Sequence, residues 1–170
     1  MGKITIEPLS KERLEKTTEM IIKIFNNKPE DVDWPGKWLP ASLEPEKYKK
    51  DFDAIDCLFC NYWVAIDSKS NRVAGIIGIY SIKHDEEEAC WIGWFCVAPE
   101  FRERKIGSKL LDFAIEKAKS MKKEYLRLYI SNNPNEKKAK ILYARRGFKL
   151  LGKKKLKGFR EKQLIMELKL

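Results

Sequence analysis

The chain has one histidine, His84, among 170 residues. A cysteine or serine nucleophile normally leans on a histidine base, and most zinc centres use at least one imidazole, so both chemistries start poorly supplied. Cysteine is also sparse: Cys57, Cys60, Cys90 and Cys96. Cys57 and Cys60 share a CLFC, but Cys90 and Cys96 lack the close spacing of a second metal knuckle. We therefore expect no metal and reduced, mostly buried thiols, as in a cytoplasmic protein. Cys96 then reads as a buried strand residue and not as a nucleophile. No apolar run approaches the roughly 20 residues that span a bilayer, which argues against a membrane partner. The opening MGKITIEPLSKERLEK has no apolar stretch of the secretory type, and Ile6 stands where a myristoylation motif carries Ser or Thr.

What is present suits one globular domain, residues 1–170. Its 44% hydrophobic content is enough to close a core. The net charge of +10 is divided unevenly. Residues 1–100 carry 13 Lys/Arg against 18 Asp/Glu, a balance of −5, and residues 101–170 carry 22 against 7, a balance of +15. The acidic part suits cations and the basic part suits anions. Charge alone would also suit nucleic acid, but no aromatic–basic RNA motif or zinc finger accompanies it, which argues against that partner.

Along the chain, Ile4 and Ile6 alternate with polar residues in a short strand ended by Pro8. Ser10 is positioned to cap a helix carrying Leu14, Ile21, Ile22 and Phe25. DVDWPGKWLP, residues 31–40, holds two prolines, a glycine and two tryptophans and reads as irregular; a second helix is expected over Glu44–Phe52. Strands follow at 62–66, 72–82 and 89–97, joined by polar turns as an antiparallel meander. A helix over 106–121, a strand over 125–130, a helix over 135–146 ended by Gly147, and strands at 148–151 and 164–168 complete the chain. The order is β-α-α-β-β-β-α-β-α-β-β, a single α/β domain with a mixed sheet.

The organising stretch is WIGWFCVAPEFRERKIGS, residues 91–108. An apolar strand passes through a basic loop into a helix opening at Ile106. First-turn N–H groups have no partner inside a helix, and the macrodipole adds partial positive charge. Arg102, Arg104 and Lys105 crowd the same corner, so a phosphate-bearing ligand is expected there.

At this point order and motifs coincide, and the chain resembles a GCN5-related N-acetyltransferase along essentially its whole length. Residues 97–111, VAPEFRERKIGSKLL, are similar to that family's acetyl-CoA loop, Arg/Gln-x-x-Gly-x-Gly/Ala. ILYARRGF, residues 141–148, with Ala139 ahead of it, is similar to the family's A-x-x-x-Tyr-x-x-x-Gly-Phe ending. Lys105 departs from the pattern by standing at the first motif glycine, where it presents its N–H if its φ is negative.

The resemblance implies acetyl-CoA as cosubstrate. It implies N–H groups of Glu103, Arg104, Lys105, Ile106, Gly107 and Ser108, with Arg102, around the pyrophosphate. It also implies a mostly antiparallel sheet whose central strands part, with the backbone of Phe95, Cys96 and Val97 along the pantetheine. Core packing is the competing role for the side chains of Trp91, Trp94 and Phe95. Tyr143 matches the family tyrosine that protonates the departing thiolate, and the N–H of Val97 suits the oxyanion. Many members place a glutamate where Trp91 stands. Glu87 and Glu88, just upstream, are candidate bases acting through water, or simply a solvated acidic turn. Asn132 and Asn135 are cofactor-contact candidates, with helix capping the alternative for Asn135. Trp34 and Trp38 fall where the family builds its acceptor pocket, and their rings either bind a cation or pack the core. The implied activity is direct acetyl transfer to the primary amine of a small molecule or peptide in a ternary complex. The alternative is a catalytically silent acyl-CoA-binding domain. The exposed sheet edges of such folds allow a homodimer.

Overall fold

The computed structural model describes residues 2–130 and 136–170. Strands β1 (Ile4–Pro8), β2 (Cys57–Asp67), β3 (Arg72–Ile82), β4 (Ala89–Val97), β5 (Tyr125–Ile130), β6 (Lys149–Lys154) and β7 (Gln163–Lys169) form a seven-stranded sheet ordered β1-β2-β3-β4-β5-β7-β6. The β4–β5 pairing is parallel and the rest antiparallel. Helices α1 (Lys11–Phe25), α2 (Pro35–Leu43) and α3 (Lys49–Ala54) precede β2, while α4 (Ile106–Ser120) and α5 (Lys137–Arg145) flank β5.

The first helical segment differs from the sequence expectation. Residues 31–40 are not irregular throughout, because α2 starts at Pro35, a residue whose fixed φ suits a first helical turn. It buries Trp38, Leu39 and Ala41, and this apolar face outweighs the presence of Pro40 inside the helix. Ser42 lies within α2, where its Oγ donates to the carbonyl of Leu39. The expected Glu44–Phe52 helix is split into a short 3-10 turn, Pro45–Tyr48, and α3. β2 begins earlier than expected, at Cys57, and α5 runs Lys137–Arg145 with Gly147 past its end at φ +89°.

Alternation along the strands divides the core into two layers. Ala65, Ile77 and Leu126 face α4 with Leu110, Leu111 and Ala114. Val64, Ile66 and Ile76 face the other way, with Ile21 of α1 and Leu39 of α2.

Between the layers, at the β4–β5 junction, sits a buried ionic network. Arg127, 8% exposed, donates through Nη1 to Asp85 at 2.6 Å and through Nε to Glu167 at 2.7 Å. Its Nη2 lies 2.8 Å from Glu88. The indole N–H of Trp91 donates to the same Asp85 carboxylate at 3.0 Å. Burial by itself would push the arginine's pKa down, but the carboxylates of Glu167, Asp85 and Glu88 overcome it and keep the guanidinium charged. Removing one member of such a network strands the other buried charges. Arg127→Leu should therefore lower the unfolding free energy by about 3–5 kcal/mol, measured by urea denaturation.

Candidate active site

Beyond this network the central strands part. The β4–β5 ladder joins Ala89, Cys90 and Trp91 to Tyr125, Leu126 and Arg127, and among the described residues it goes no further. From Ile92 onward β4 is paired only with β3. A bulge lies at the parting point: β3 advances from Ile77 to Ile79 while β4 takes Ile92 to Phe95. The extra residue puts Gly93 and Trp94 on one face. Trp94 packs in the α1–α2 layer, whereas Ile92 and Phe95 belong to the α4 layer. A Cβ on Gly93 would lie 3.3 Å from the Tyr62 ring, on Trp94's side of the sheet. Along the open edge, alternate residues turn N–H and C=O into the gap with no strand to receive them. A cleft of about 1570 Å³ runs through the gap and opens on both faces.

At one mouth of the cleft lies the loop before α4. After a 3-10 turn, Pro99–Phe101, Glu103 and Lys105 both take left-handed conformations, with φ +65° and +58°. The negative φ under which Lys105 would present its N–H like an ordinary residue is not the one it adopts. Lysine occupies the motif's glycine position and adopts the backbone that glycine would, at a cost of about 1–2 kcal/mol. The helix starts directly after it, and no side chain caps its first-turn N–H groups. Left-handed residues beside helical ones aim successive N–H groups at one point, an anion-binding concavity. This loop and the open β4 edge together fit a pyrophosphate followed by an amide-containing chain.

Arg102, Glu103, Lys105, Ile106, Gly107 and Ser108 all border the cleft. Arg102 donates from Nε to the Val97 carbonyl at 3.2 Å. The Arg104 side chain turns elsewhere. It donates to Asp67 Oδ1 at 2.8 Å and to the carbonyl of Gly2 at 3.0 Å, and it lies over the Phe101 ring. Arg104 is thus a staple between the loop and the end of β2. Hydrogen bonds from Arg104 and Ser70 hold the Asp67 carboxyl at about 2, below its ordinary 3.8.

Mid-cleft, Phe95 of β4 packs on Tyr143 of α5, and Cys96 and Val97 also line the cleft. Tyr143 is 7% exposed, its ring 5.9 Å from that of Phe95 and 5.6 Å from that of Phe148. Burial pushes its phenol well above the ordinary value, so it stays a proton donor across the neutral range. Burial also pushes the Cys96 thiol up to about 12, which leaves it protonated and poorly nucleophilic.

Glu87 and Glu88 do not reach this region. They sit in the turn before the paired end of β4, where the strands are still joined, and neither borders the cleft. Glu88 is held by Arg127. Trp91 is 2% exposed and bound to Asp85. Trp34 does not border the cleft either, because its indole folds over Gly36. Trp38 does; it is buried, donates to the Val32 carbonyl at 2.6 Å and packs on Phe52. Asn132 and Asn135 lie outside the described residues.

The opposite mouth contains residues that the motifs did not single out. Asp33, Trp94, Tyr129 and Phe159 converge there, with the β6–β7 loop as a roof. A Cβ on Gly158 of that loop would come within 2.5 Å of Val32. The resemblance pointed to this end only through the neighbouring Trp34 and Trp38.

A parallel strand pair thus opens beside an uncapped, basic helix start, with a buried phenol across the gap. The chain belongs to the GNAT acetyltransferases: residues 59–150 match the model of the acetyltransferase (GNAT) domain. No curated protein sequence matches it significantly. Solved structures share the fold. A GNAT-family acetyltransferase of Staphylococcus aureus Mu50 is 20% identical with a TM-score of 0.72, over 99% of both chains. The PaiA N-acetyltransferase of Thermoplasma acidophilum, solved with coenzyme A, is 22% identical with a TM-score of 0.63, over 99% of both. The spermidine/spermine N-acetyltransferase SpeG of Vibrio cholerae is 16% identical with a TM-score of 0.66, over 98% of this chain and 93% of that one.

Two outcomes follow from the loop. Lys105→Gly should exceed Lys105→Ala in unfolding free energy by about 1 kcal/mol, since both lose the charge and only alanine keeps the left-handed cost. The folded Asp67 carboxyl titrates below its unfolded counterpart, so its stabilisation is complete above the ordinary 3.8 and drains away as pH falls through about 2. Denaturation curves across that acid range should show this loss in the wild type and a shallower one in Arg104→Gln.

Proposed function

We propose that this acetyltransferase moves the acetyl group of acetyl-CoA directly to a primary amine held with it in a ternary complex. Acetyl-CoA supplies an activated thioester; the chain supplies binding, orientation and protons. The observation that carries the reading is the position of Tyr143, a protonated phenol facing the open β4 edge across the cleft. The N–H groups of residues 103–108 bind the pyrophosphate, supported by their left-handed loop and uncapped helix start. The Phe95–Val97 backbone holds the pantetheine amides, and an N–H there, that of Val97, receives the oxyanion. Tyr143 protonates the departing sulfur. The buried neutral Cys96 thiol supports transfer without a covalent enzyme intermediate. SpeG, a structural relative, is named for its action on spermidine and spermine, which supports an amine acceptor here. Four free thiols suit a cytoplasmic setting.

The test is release of CoA thiol with a panel of amines. Wild type should turn over at least one amine. Tyr143→Phe should lower kcat by roughly 10²-fold or more with little change in acetyl-CoA affinity measured by calorimetry. Unchanged turnover in Tyr143→Phe removes the acid from Tyr143. Acetyl-CoA binding without thiol release on any amine would make the domain a silent acyl-CoA binder.

A further inference from the structure

Asp33 lies on the α1–α2 loop and touches both lips of the parted sheet. Its carboxylate Oδ2 accepts from the hydroxyl of Tyr129 on β5 at 2.8 Å. Its backbone carbonyl accepts from the indole N–H of Trp94 on β4 at 3.0 Å. Both contacts fall just past Trp91 and Arg127, the last pair of the ladder. The carboxylate therefore stands where the gap opens, on the face opposite Tyr143. The bulge produces that arrangement: Trp94 turns to the Asp33 face while its neighbour Phe95 turns to Tyr143.

The surroundings are aromatic. Trp94 lies 5.1 Å from the Phe25 ring, and Tyr129 lies 4.9 Å from the Phe159 ring in an edge-on contact. A carboxylate set among aromatic side chains is a receptor for a cation on an apolar stem. Lys157 of the roof is engaged by Asp56 at 2.8 Å. The same position suits proton removal, since a primary amine reaches the protein as an ammonium and must lose a proton before it can attack.

We propose that Asp33 binds the ammonium group of the acceptor and takes its proton, which makes the acceptor a primary alkylamine on a slender apolar or aromatic stem. This rests on the amine-acetylation reading above. The ammonium gives one proton to the Asp33 carboxylate, and the free amine attacks the acetyl carbonyl carbon. The C–N bond forms, the C–S bond breaks, and the sulfur leaves with the proton of Tyr143. The surplus proton of the new amide nitrogen returns to the Tyr143 phenolate, and Asp33 releases its proton to solvent.

Burial raises the Asp33 pKa, which improves it as a base, and the hydrogen bond from Tyr129 opposes the rise. The titratable groups acting on it are Asp31 on its own loop, Tyr129 on β5, and Glu136 beside α5. Tyr62 of β2 and Tyr80 of β3 face it from below and stay protonated through burial. His84, Asp56, Lys155, Lys157 and Arg160 border the same mouth, so their charges bear on any pH profile measured there.

The test uses the full chain with n-butylamine, phenethylamine and spermidine as probes, in two arms. In the kinetic arm, Asp33→Asn keeps an acceptor for Tyr129 and should lower kcat/KM for amine about 10²-fold, while acetyl-CoA affinity stays within about twofold. Tyr129→Phe removes the bond that lowers the Asp33 pKa, so the acid limb of kcat/KM should move to higher pH. A limb unmoved in Tyr129→Phe, or an Asp33→Asn rate equal to wild type, overturns the proposal. In the binding arm, phenethylamine is titrated into the CoA-loaded protein by calorimetry. It should bind the wild type and bind Asp33→Asn at least about tenfold more weakly. Equal binding overturns the proposal even if no thiol is released. Absence of thiol release together with Asp33-dependent amine binding instead sinks the transferase reading and keeps the ammonium site.

Discussion

The structure depends on where the pairing of β4 with β5 is made to stop. Two parallel strands in the middle of a sheet gain a hydrogen bond with each further residue, so parting them early leaves polar backbone edges exposed. Arg127 sits on the last rung and ties Asp85, Glu88 and Glu167 to it, with Trp91 bound to the same Asp85. The network holds the closed end firmly, and the one-residue bulge in β4 redirects the chain just beyond it. The cleft, the unpaired edge and the division of the site between two sheet faces all follow from that junction.

The loop ahead of α4 shows a second constraint, in which backbone geometry outranks side-chain charge. The basic side chains at 102, 104 and 105 look alike in sequence but do different work. Arg102 folds back on the Val97 carbonyl, and Arg104 is committed to Asp67. Lys105 takes on a left-handed conformation that glycine would adopt freely. What remains for an anion is chiefly a row of N–H groups, and the arginine staple fixes the loop that aims them. Strain and ion pair act together at one site, as is common where a protein holds a loop in a single binding shape.

Much of the fold was legible along the chain. The limits of β3, β4 and β5 follow from alternation and turn chemistry, and α4 from its apolar spacing, because those signals are local. Residues 35–43 were not legible as a helix. Two prolines and a glycine argue against one, and only burial of Trp38 and Leu39 against the sheet outweighs that. The loop and Tyr143 were visible as motif positions. The turn carboxylates Glu87 and Glu88 were read as near the chemistry because they are near in sequence. They do not border the cleft, because β4 is still paired where they join it.

The sequence by itself pointed to the family, the succession of strands and the basic loop-to-helix corner, since each rests on short-range spacing that survives without tertiary contacts. Only the tertiary structure decided which residues meet at the far mouth of the cleft. Asp33, Trp94, Tyr129 and Phe159 come from four separate segments and meet only because the sheet parts and the α1–α2 and β6–β7 loops close over the opening. A one-residue bulge decides which face each β4 side chain reaches, and its effect depends on the register of β3 alongside it.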